Sequence, residues 1–163
     1  MKKLWHYRRL NYRRRLLEQG YVIDALQEQD LQSGPMTYFF NPSNIPGFVN
    51  WVTDNSICRC IRLGQDAVAV GTISNNEKEL IVATHPTHER KYLATMLASH
   101  LISIAFQNDD LSILTAKAVM GRGGSIIAEQ MGFKKCGFHN GQYSYNLSHP
   151  RWVIWRILHP SLW

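Results

Sequence analysis

The sequence has few cysteines, no long apolar run and no internal repeat, and each absence excludes a class of protein. Three cysteines, Cys58, Cys60 and Cys136, are an odd and sparse set in 163 residues, which argues for a reducing compartment rather than a disulfide scaffold. No stretch of about eighteen apolar residues exists, and the basic start runs into no apolar segment, so neither a membrane span nor a signal peptide is expected. We expect a soluble, cytoplasmic protein.

Metal-ligand spacing is also missing from the sequence. Cys58 and Cys60 lie two residues apart in a predicted strand, so both side chains point to one side of it. Two buried thiols are the simpler interpretation, because no other residues nearby have the spacing of zinc ligands. We therefore expect no metal. The hydrophobic fraction of 45% is enough for a compact domain with a core.

Acidic residues are almost absent from the first 20 positions, where Glu18 is the only one. Seven cations there against that one anion give +6, and the remaining 143 residues carry eleven of each sign. Such a segment either binds a polyanion such as nucleic acid or forms a solvated helix face. The candidate nucleic-acid-binding residues are Lys2, Lys3, Arg8, Arg9, Arg13, Arg14 and Arg15.

Hydrophobic periodicity is clearest in the second half of the chain, where it predicts the order β-β-β-α-β-α-β-β. The predicted strands are 57–63, 67–73, 79–84, 111–118, 133–138 and 142–147, and the predicted helices are 93–106 and 125–131. Nearer the start, the pattern predicts a helix over 2–19, a strand over 21–26 and a helix at about 44–54. Residues 149–163 form a Trp-rich tail that covers a core edge or contacts a partner.

Two segments resemble the GNAT N-acetyltransferases. The stretch Val82–Thr95, VATHPTHERKYLAT, resembles that family's coenzyme-binding strand followed by Q/R-x-x-G-x-G/A at the start of a helix. The stretch Glu129–Phe138, EQMGFKKCGF, is similar to the family's helix, Gly-Phe and strand. The resemblance spans about 67–147 and implies an α/β (α+β) fold, with a mixed, mostly antiparallel central sheet flanked by helices. It also implies acetyl-CoA or another acyl-CoA as cofactor, and an amine substrate.

The turn in the first of these two segments is a candidate anion site on physical grounds as well. A helix start presents unpaired N–H groups and the positive end of its dipole, so the turn His88–Leu93 suits a pyrophosphate. Counted from His85-Pro86, the resemblance places Glu89 at the Gln/Arg position, Tyr92 at the first glycine and Ala94 at the Gly/Ala position. A register shifted by one residue instead places Arg90 at the Gln/Arg position, with Leu93 and Thr95 at the glycine positions. It also implies a bulged, splayed strand with backbone donors. The predicted cofactor-binding residues are Val82, Ala83, Thr84, Glu89, Arg90, Lys91, Tyr92, Leu93, Ala94 and Thr95.

Arg122-Gly123-Gly124 forms either a second phosphate-facing turn or a plain loop.

Three side chains are the predicted catalytic residues. Glu79 opens the strand on which the family commonly carries a carboxylate, so it is the candidate general base. His85 lies at the other end of that strand, near His88, and is alternatively a turn former beside Pro86. The family often places a tyrosine where this chain has Ala128, so Tyr143 is the candidate proton donor, with Tyr145 and Ser125 as alternatives.

Three functions stay open at this point. The first is an acyl-CoA-dependent N-acyltransferase whose primary amine substrate attacks the thioester directly. The second is a GNAT-fold protein that modifies DNA or RNA, like the Mom-type DNA-adenine modifiers of phages, and its motivation is the basic segment 1–20. The third is a binding or structural module without catalysis, for which Tyr92 and Ala128 argue. We divide the chain into the basic segment 1–20, a domain at 21–148 and the tail at 149–163. A homodimer is a further hypothesis.

Overall fold

The computed structural model describes residues 12–27, 29–30, 55–107, 111–119 and 123–158. The strands are Tyr21–Ala25 (β1), Asn55–Leu63 (β2), Asp66–Ser74 (β3), Glu79–Thr84 (β4), Ile113–Val119 (β5), Lys134–His139 (β6) and Gln142–Ser148 (β7). The helices are Tyr12–Glu18 (α1), Leu93–Gln107 (α2), Gly123–Gln130 (α3) and His149–Leu158 (α4), and a 3₁₀ turn covers Pro86–His88.

One sheet holds the described strands in the order β1-β2-β3-β4-β5-β7-β6. Neighbours are antiparallel except for β4 and β5, which run parallel and are joined through α2. The predicted mixed, mostly antiparallel sheet flanked by helices is confirmed, and each predicted bound between 57 and 147 lies within two residues of the observed one. Residues 2–11 of the predicted first helix and the predicted helix at 44–54 lie outside the described residues.

The core lies between the sheet and the apolar face of α2. Leu93, Leu97 and Leu101 recur at the spacing of one helix face and are buried. Leu97 and Leu101 lie beside Gly71 of β3. Gly71 in the middle of β3 lets α2 approach, because a Cβ there would lie 2.7 Å from Leu101 Cδ1. A glycine inside a strand is thus explained by the close approach of a neighbouring helix.

The C-terminal helix α4 was not predicted by the sequence pattern. Pro150 suggests a break, yet it is the second residue of α4, where proline is tolerated because the first turn's N–H groups have no partners in the helix. Trp152 and Trp155 are buried and stack with centroids 5.0 Å apart. The Trp155 indole also donates to the Gln130 carbonyl over 2.7 Å, which ties α4 to the end of α3.

The three cysteines are free thiols. Burial raises the pKa of Cys58 to about 11 and that of Cys60 to about 12, so both stay protonated at neutral pH. Within the described ranges, no cluster of His, Cys, Asp and Glu is suited to a metal ion. Nor does any helix in that part of the chain have the length and apolar character needed to cross a membrane.

We expect Gly132→Ala to destabilise the protein by about 1 kcal/mol more than Gly141→Ala. Both glycines have positive φ, +88° and +77°, so an alanine strains the backbone at either position. Only at Gly132 would the added Cβ meet a neighbour, since Trp155 Cδ1 would lie 2.8 Å away, whereas Gly141 has open space. Urea unfolding measures both variants. Equal losses in the free energy of unfolding of the two variants would show that Trp155 does not pack against Gly132.

Candidate functional site

A wedge-shaped gap separates β4 from β5. The two strands pair only where they begin, at Glu79↔Thr115 and Leu80↔Ala116, and then diverge. The pairing of β4 with β3 is continuous from Ile73↔Leu80 to Ala69↔Thr84. The splay between β4 and β5 that the resemblance implies is therefore present. The implied bulge in β4 is not, because β4 keeps a continuous register with β3.

The backbone N–H groups of β4 point alternately toward β3 and into the gap. The N–H of His85 donates to the Val68 carbonyl over 2.9 Å, continuing the β3–β4 ladder. Because alternate residues of a strand bond to opposite neighbours, Ala83 also faces β3, while Val82 and Thr84 direct their N–H groups into the gap. This geometry corrects the prediction that Ala83 is a donor there, since its N–H belongs to the sheet.

The gap opens into a cleft of about 610 Å³. Its walls are the end of β4, the following turn, the first residues of α2 and one side of α3. The lining residues are Val82, Thr84, His88, Glu89, Arg90, Tyr92, Leu93, Ala94, Thr95, Gly123, Gly124, Ile126, Ile127 and Gln130. Eight of the ten predicted cofactor residues line it, and Ala83 and Lys91 do not. Gly123 and Gly124, which the sequence predicts as part of a turn or loop, are instead the first two residues of α3, and both line this cleft. Arg122 lies outside the described residues.

The turn between β4 and α2 has an unusual backbone. Arg90 and Tyr92 have φ values of +61° and +62°, in the left-handed region that favours glycine. Such left-handed residues in a turn create a concave array of N–H groups that suits an anion. The φ of Tyr92 also supports the alignment that places it at the family's first glycine. Tyr92 thus has a glycine's backbone conformation but brings a ring into the cleft.

Two buried hydroxyl groups lie beside this cleft without a hydrogen-bond partner among the described residues. They are Thr84 Oγ1 and Ser125 Oγ. Thr84 lines the cleft, and Ser125 follows the lining residue Gly124 on α3. Buried polar atoms are nearly always paired, so an unpaired one beside a cleft suggests a bound group.

The predicted catalytic side chains lie apart from one another. Glu79 is at the closed end of the gap, where Lys117 Nζ lies 3.1 Å from its carboxylate. His85, at the other end of β4, bonds through Nδ1 to Thr87 Oγ1 over 2.8 Å and caps the 3₁₀ turn. Tyr143 lies on β7, where its ring centroid is 4.9 Å from that of Phe138 on β6 and Lys135 Nζ lies 3.7 Å from the centroid of the Tyr143 ring. None of the three lines the cleft.

The alternatives to Tyr143 differ in their surroundings. Tyr145 is buried, and its hydroxyl donates to Glu129 Oε1 over 3.4 Å. Ser125 is closer to the cleft and unpaired, as described above. Ala128, at the family's tyrosine position, is buried in the core.

The sequence prediction missed one wall of the cleft. Ile126, Ile127 and Gln130 lie on α3, a helix that the periodicity predicts without saying which strand ends it covers. That placement depends on packing between residues far apart in sequence. The sequence pattern places His88 at the start of the predicted anion turn but assigns its side chain no role of its own.

The basic segment is described only in part. Arg13, Arg14 and Arg15 lie on α1, and Arg14 pairs with Glu18 one turn later over 2.9 Å. This pair is exposed and follows the i, i+4 spacing of a solvated helix face. Lys2, Lys3, Arg8 and Arg9 lie outside the described residues.

Known proteins match this chain through their structures. No protein-family model matches the sequence, and neither does any curated protein. A ribosomal-protein-alanine N-acetyltransferase from Brucella melitensis is 16% identical over 78% of this chain and 99% of its own, with a TM-score of 0.65. Mutant forms of the spermidine/spermine N-acetyltransferase SpeG from Vibrio cholerae are 14% identical over 83% and 97%, with a TM-score of 0.64. FdhC, a nucleotide-linked sugar GNAT, is 12% identical over 88% and 95%, with a TM-score of 0.67.

These similarities concern the fold, since the identities are low. Each neighbour is matched over almost its full length. The chain therefore has the GNAT fold, and the predicted resemblance is confirmed at that level.

Proposed function

We propose that the protein is an acyl-CoA-dependent N-acyltransferase that transfers an acetyl or acyl group to a primary amine. The observation that carries the proposal is the gap between β4 and β5, which opens into a cleft ending at the start of a helix. The donors facing that gap are the N–H groups of Val82 and Thr84. The fold similarity to acetyltransferases supports the same function.

The chain's own residues fit the cofactor at two places. The turn from Glu89 to Tyr92 and the first N–H groups of α2 suit a pyrophosphate. The N–H groups and the unpaired hydroxyl in the gap suit the amide and carbonyl oxygens of an acylated pantetheine arm. Bound acyl-CoA supplies an activated thioester. Since Glu89 and Arg90 both line the cleft with opposite charges, the anion site relies on the backbone and the helix dipole.

Glu79 is the proposed general base that takes a proton from the attacking amine. It lies next to the point where the gap closes, and Lys117 orients its carboxylate. Ser125 is our proposed proton donor, because it lies between the lining residues Gly124 and Ile126 and its hydroxyl has no hydrogen-bond partner among the described residues. His85 and Tyr143 stay predictions without support from a contact to the cleft.

The amine substrate is proposed by class only. The printed names of the neighbours cover a ribosomal protein's alanine, spermidine or spermine, and a nucleotide-linked sugar. One fold thus serves several acceptors, and we carry none of them over to this chain. Nucleic-acid binding through the segment 1–20, a homodimer, the cytoplasmic location and the division at 20 and 148 stay predictions.

Thr84→Val tests the proposal, with Thr72→Val as its matched control. Thr84 Oγ1 is buried and unpaired, so valine is expected to stabilise the empty protein by about 1 kcal/mol and to weaken acetyl-CoA binding. Thr72 Oγ1 is buried too but donates to the Ile57 carbonyl over 2.8 Å, so valine there is expected to destabilise by about 1 kcal/mol. Thermal unfolding and calorimetry measure both effects.

The wild-type titration decides the proposed function itself. Acetyl-CoA is expected to bind in calorimetry, and to be consumed when a panel of primary amines is added. Absence of heat at millimolar acetyl-CoA would refute the proposal. Binding that Thr84→Val leaves unchanged would place the cofactor outside the gap.

A further inference from the structure

A tyrosine from β1 contacts the turn that forms one wall of the cleft. Tyr21 is buried, with 3% of its surface exposed, and is not itself a lining residue. Its hydroxyl lies 3.0 Å from His88 Nδ1 and 3.1 Å from Lys91 Nζ. The Tyr21 and His88 rings also meet edge to face with centroids 5.9 Å apart. One side chain thus holds two residues of the turn from about 70 positions away.

The hydrogen-bond capacities of the three groups determine which atom donates. An ammonium group only donates, so the Tyr21 oxygen accepts from Lys91. The single hydroxyl proton of Tyr21 is then available for His88 Nδ1, and this pairing requires an unprotonated Nδ1. In that arrangement the ring hydrogen of His88 lies on Nε2. Within the described ranges Nε2 makes no hydrogen bond, and His88 lines the cleft.

The charges around His88 favour its neutral form. Burial lowers the pKa of His88, and the nearby Lys91 and His85 lower it further, while Asp66 raises it to a smaller extent. Glu89 and Arg90 line the same cleft and carry opposite charges. Protonation of Nδ1 would also leave the Tyr21 proton without its acceptor. These groups together favour the uncharged imidazole.

We propose that Tyr21 is a positioning residue that holds His88 as a neutral Nε2–H donor for an anionic oxygen of the ligand in the cleft. The identity of that ligand as a coenzyme A phosphate rests on the proposed function. The tautomer and its dependence on Tyr21 do not, because they concern the empty protein. This arrangement adds a neutral side-chain donor to the backbone N–H groups of the turn and to Arg90, which also lines the cleft.

Nitrogen-15 NMR of the histidine side chains tests the arrangement in the empty protein. The His88 signals, assigned by their loss in His88→Gln, are expected to show one Nε2–H tautomer and a pKa below the ordinary 6.5. Tyr21→Phe is expected to mix the tautomers and raise the pKa by about half a unit or more, since the bond to the neutral form is lost. An Nδ1–H tautomer in the wild type, or an identical titration in Tyr21→Phe, would overturn the proposal.

Coenzyme A binding at two pH values separates positioning from general loosening. At pH 8 Tyr21→Phe is expected to bind about fivefold more weakly, the loss of one oriented hydrogen bond. At pH 6 the difference is expected to shrink, because the variant's imidazole takes up charge first and attracts the phosphate. An equal loss at both pH values would indicate a purely structural role and contradict the proposal. If the wild type binds no coenzyme A, the proposed function fails, and the NMR titration alone decides the role of Tyr21.

Discussion

Proline at position 83 is expected to destabilise the protein by about 3 kcal/mol or more, whereas proline at position 84 is expected to leave it folded but unable to bind acetyl-CoA tightly. The N–H of Ala83 is part of the β3–β4 ladder, opposite Val70. Ala83→Pro removes that bond and places the proline ring against β3. The N–H of Thr84 faces the gap instead. Thr84→Pro loses no sheet bond, but it removes one donor and fills part of the gap.

The two variants are controls for each other because they alter adjacent residues of the same strand. Circular dichroism and thermal unfolding measure their stability, and calorimetry with acetyl-CoA measures binding by Thr84→Pro, which is expected to be at least tenfold weaker. If both variants lose the same amount of stability, β4 has hydrogen-bond partners on both edges and the gap does not exist as described. If Thr84→Pro binds like the wild type, the N–H of Thr84 takes no part in binding.

The order of helices and strands from 57 onward could be predicted because it depends on local patterns. The β-rich runs of β2 and β3 and the helical spacing in α2 are visible within a few residues of sequence. α4 could not be predicted in this way. Its helix is stabilised by burying Trp152 and Trp155 against the core and the end of α3, and these contacts join distant parts of the chain.

The turn before α2 could be predicted because the local sequence defines it. The donors that face the gap could not, because they depend on how the strands of the sheet pair. The anion turn follows from the start of α2, so most of its residues could be named in advance. The direction of each N–H in β4 depends on its pairing with β3, and a shift by one residue reverses it. The sequence therefore favoured three adjacent donors, while the ladder leaves two, Val82 and Thr84.

The same distinction explains the histidines. His85 precedes Pro86 and caps the short turn, a role visible in the local sequence. His88 has no local signal that separates it from His85. Its hydrogen bond to Tyr21 depends on how β1 and the turn are placed by the folded sheet.

Tyr92→Gly is expected to tighten acetyl-CoA binding by at least tenfold. The backbone of Tyr92 already has a left-handed φ of +62°, which costs a residue with a side chain about 1 kcal/mol and costs glycine nothing. Glycine would therefore keep the shape of the turn. It would also remove a ring that lines the cleft and let the ligand approach the N–H groups at the start of α2.

Asn140→Gly is the matched control for this prediction. Asn140 also has a positive φ, +49°, but it lies in the β6–β7 turn and does not line the cleft. Glycine there changes the same kind of backbone without touching the site, so acetyl-CoA affinity is expected to stay as in the wild type. Weaker binding by Tyr92→Gly, with Asn140→Gly unchanged, would show that the Tyr92 side chain contributes to binding. The cleft would then hold its ligand through that ring, and the glycine-like backbone would serve to direct it.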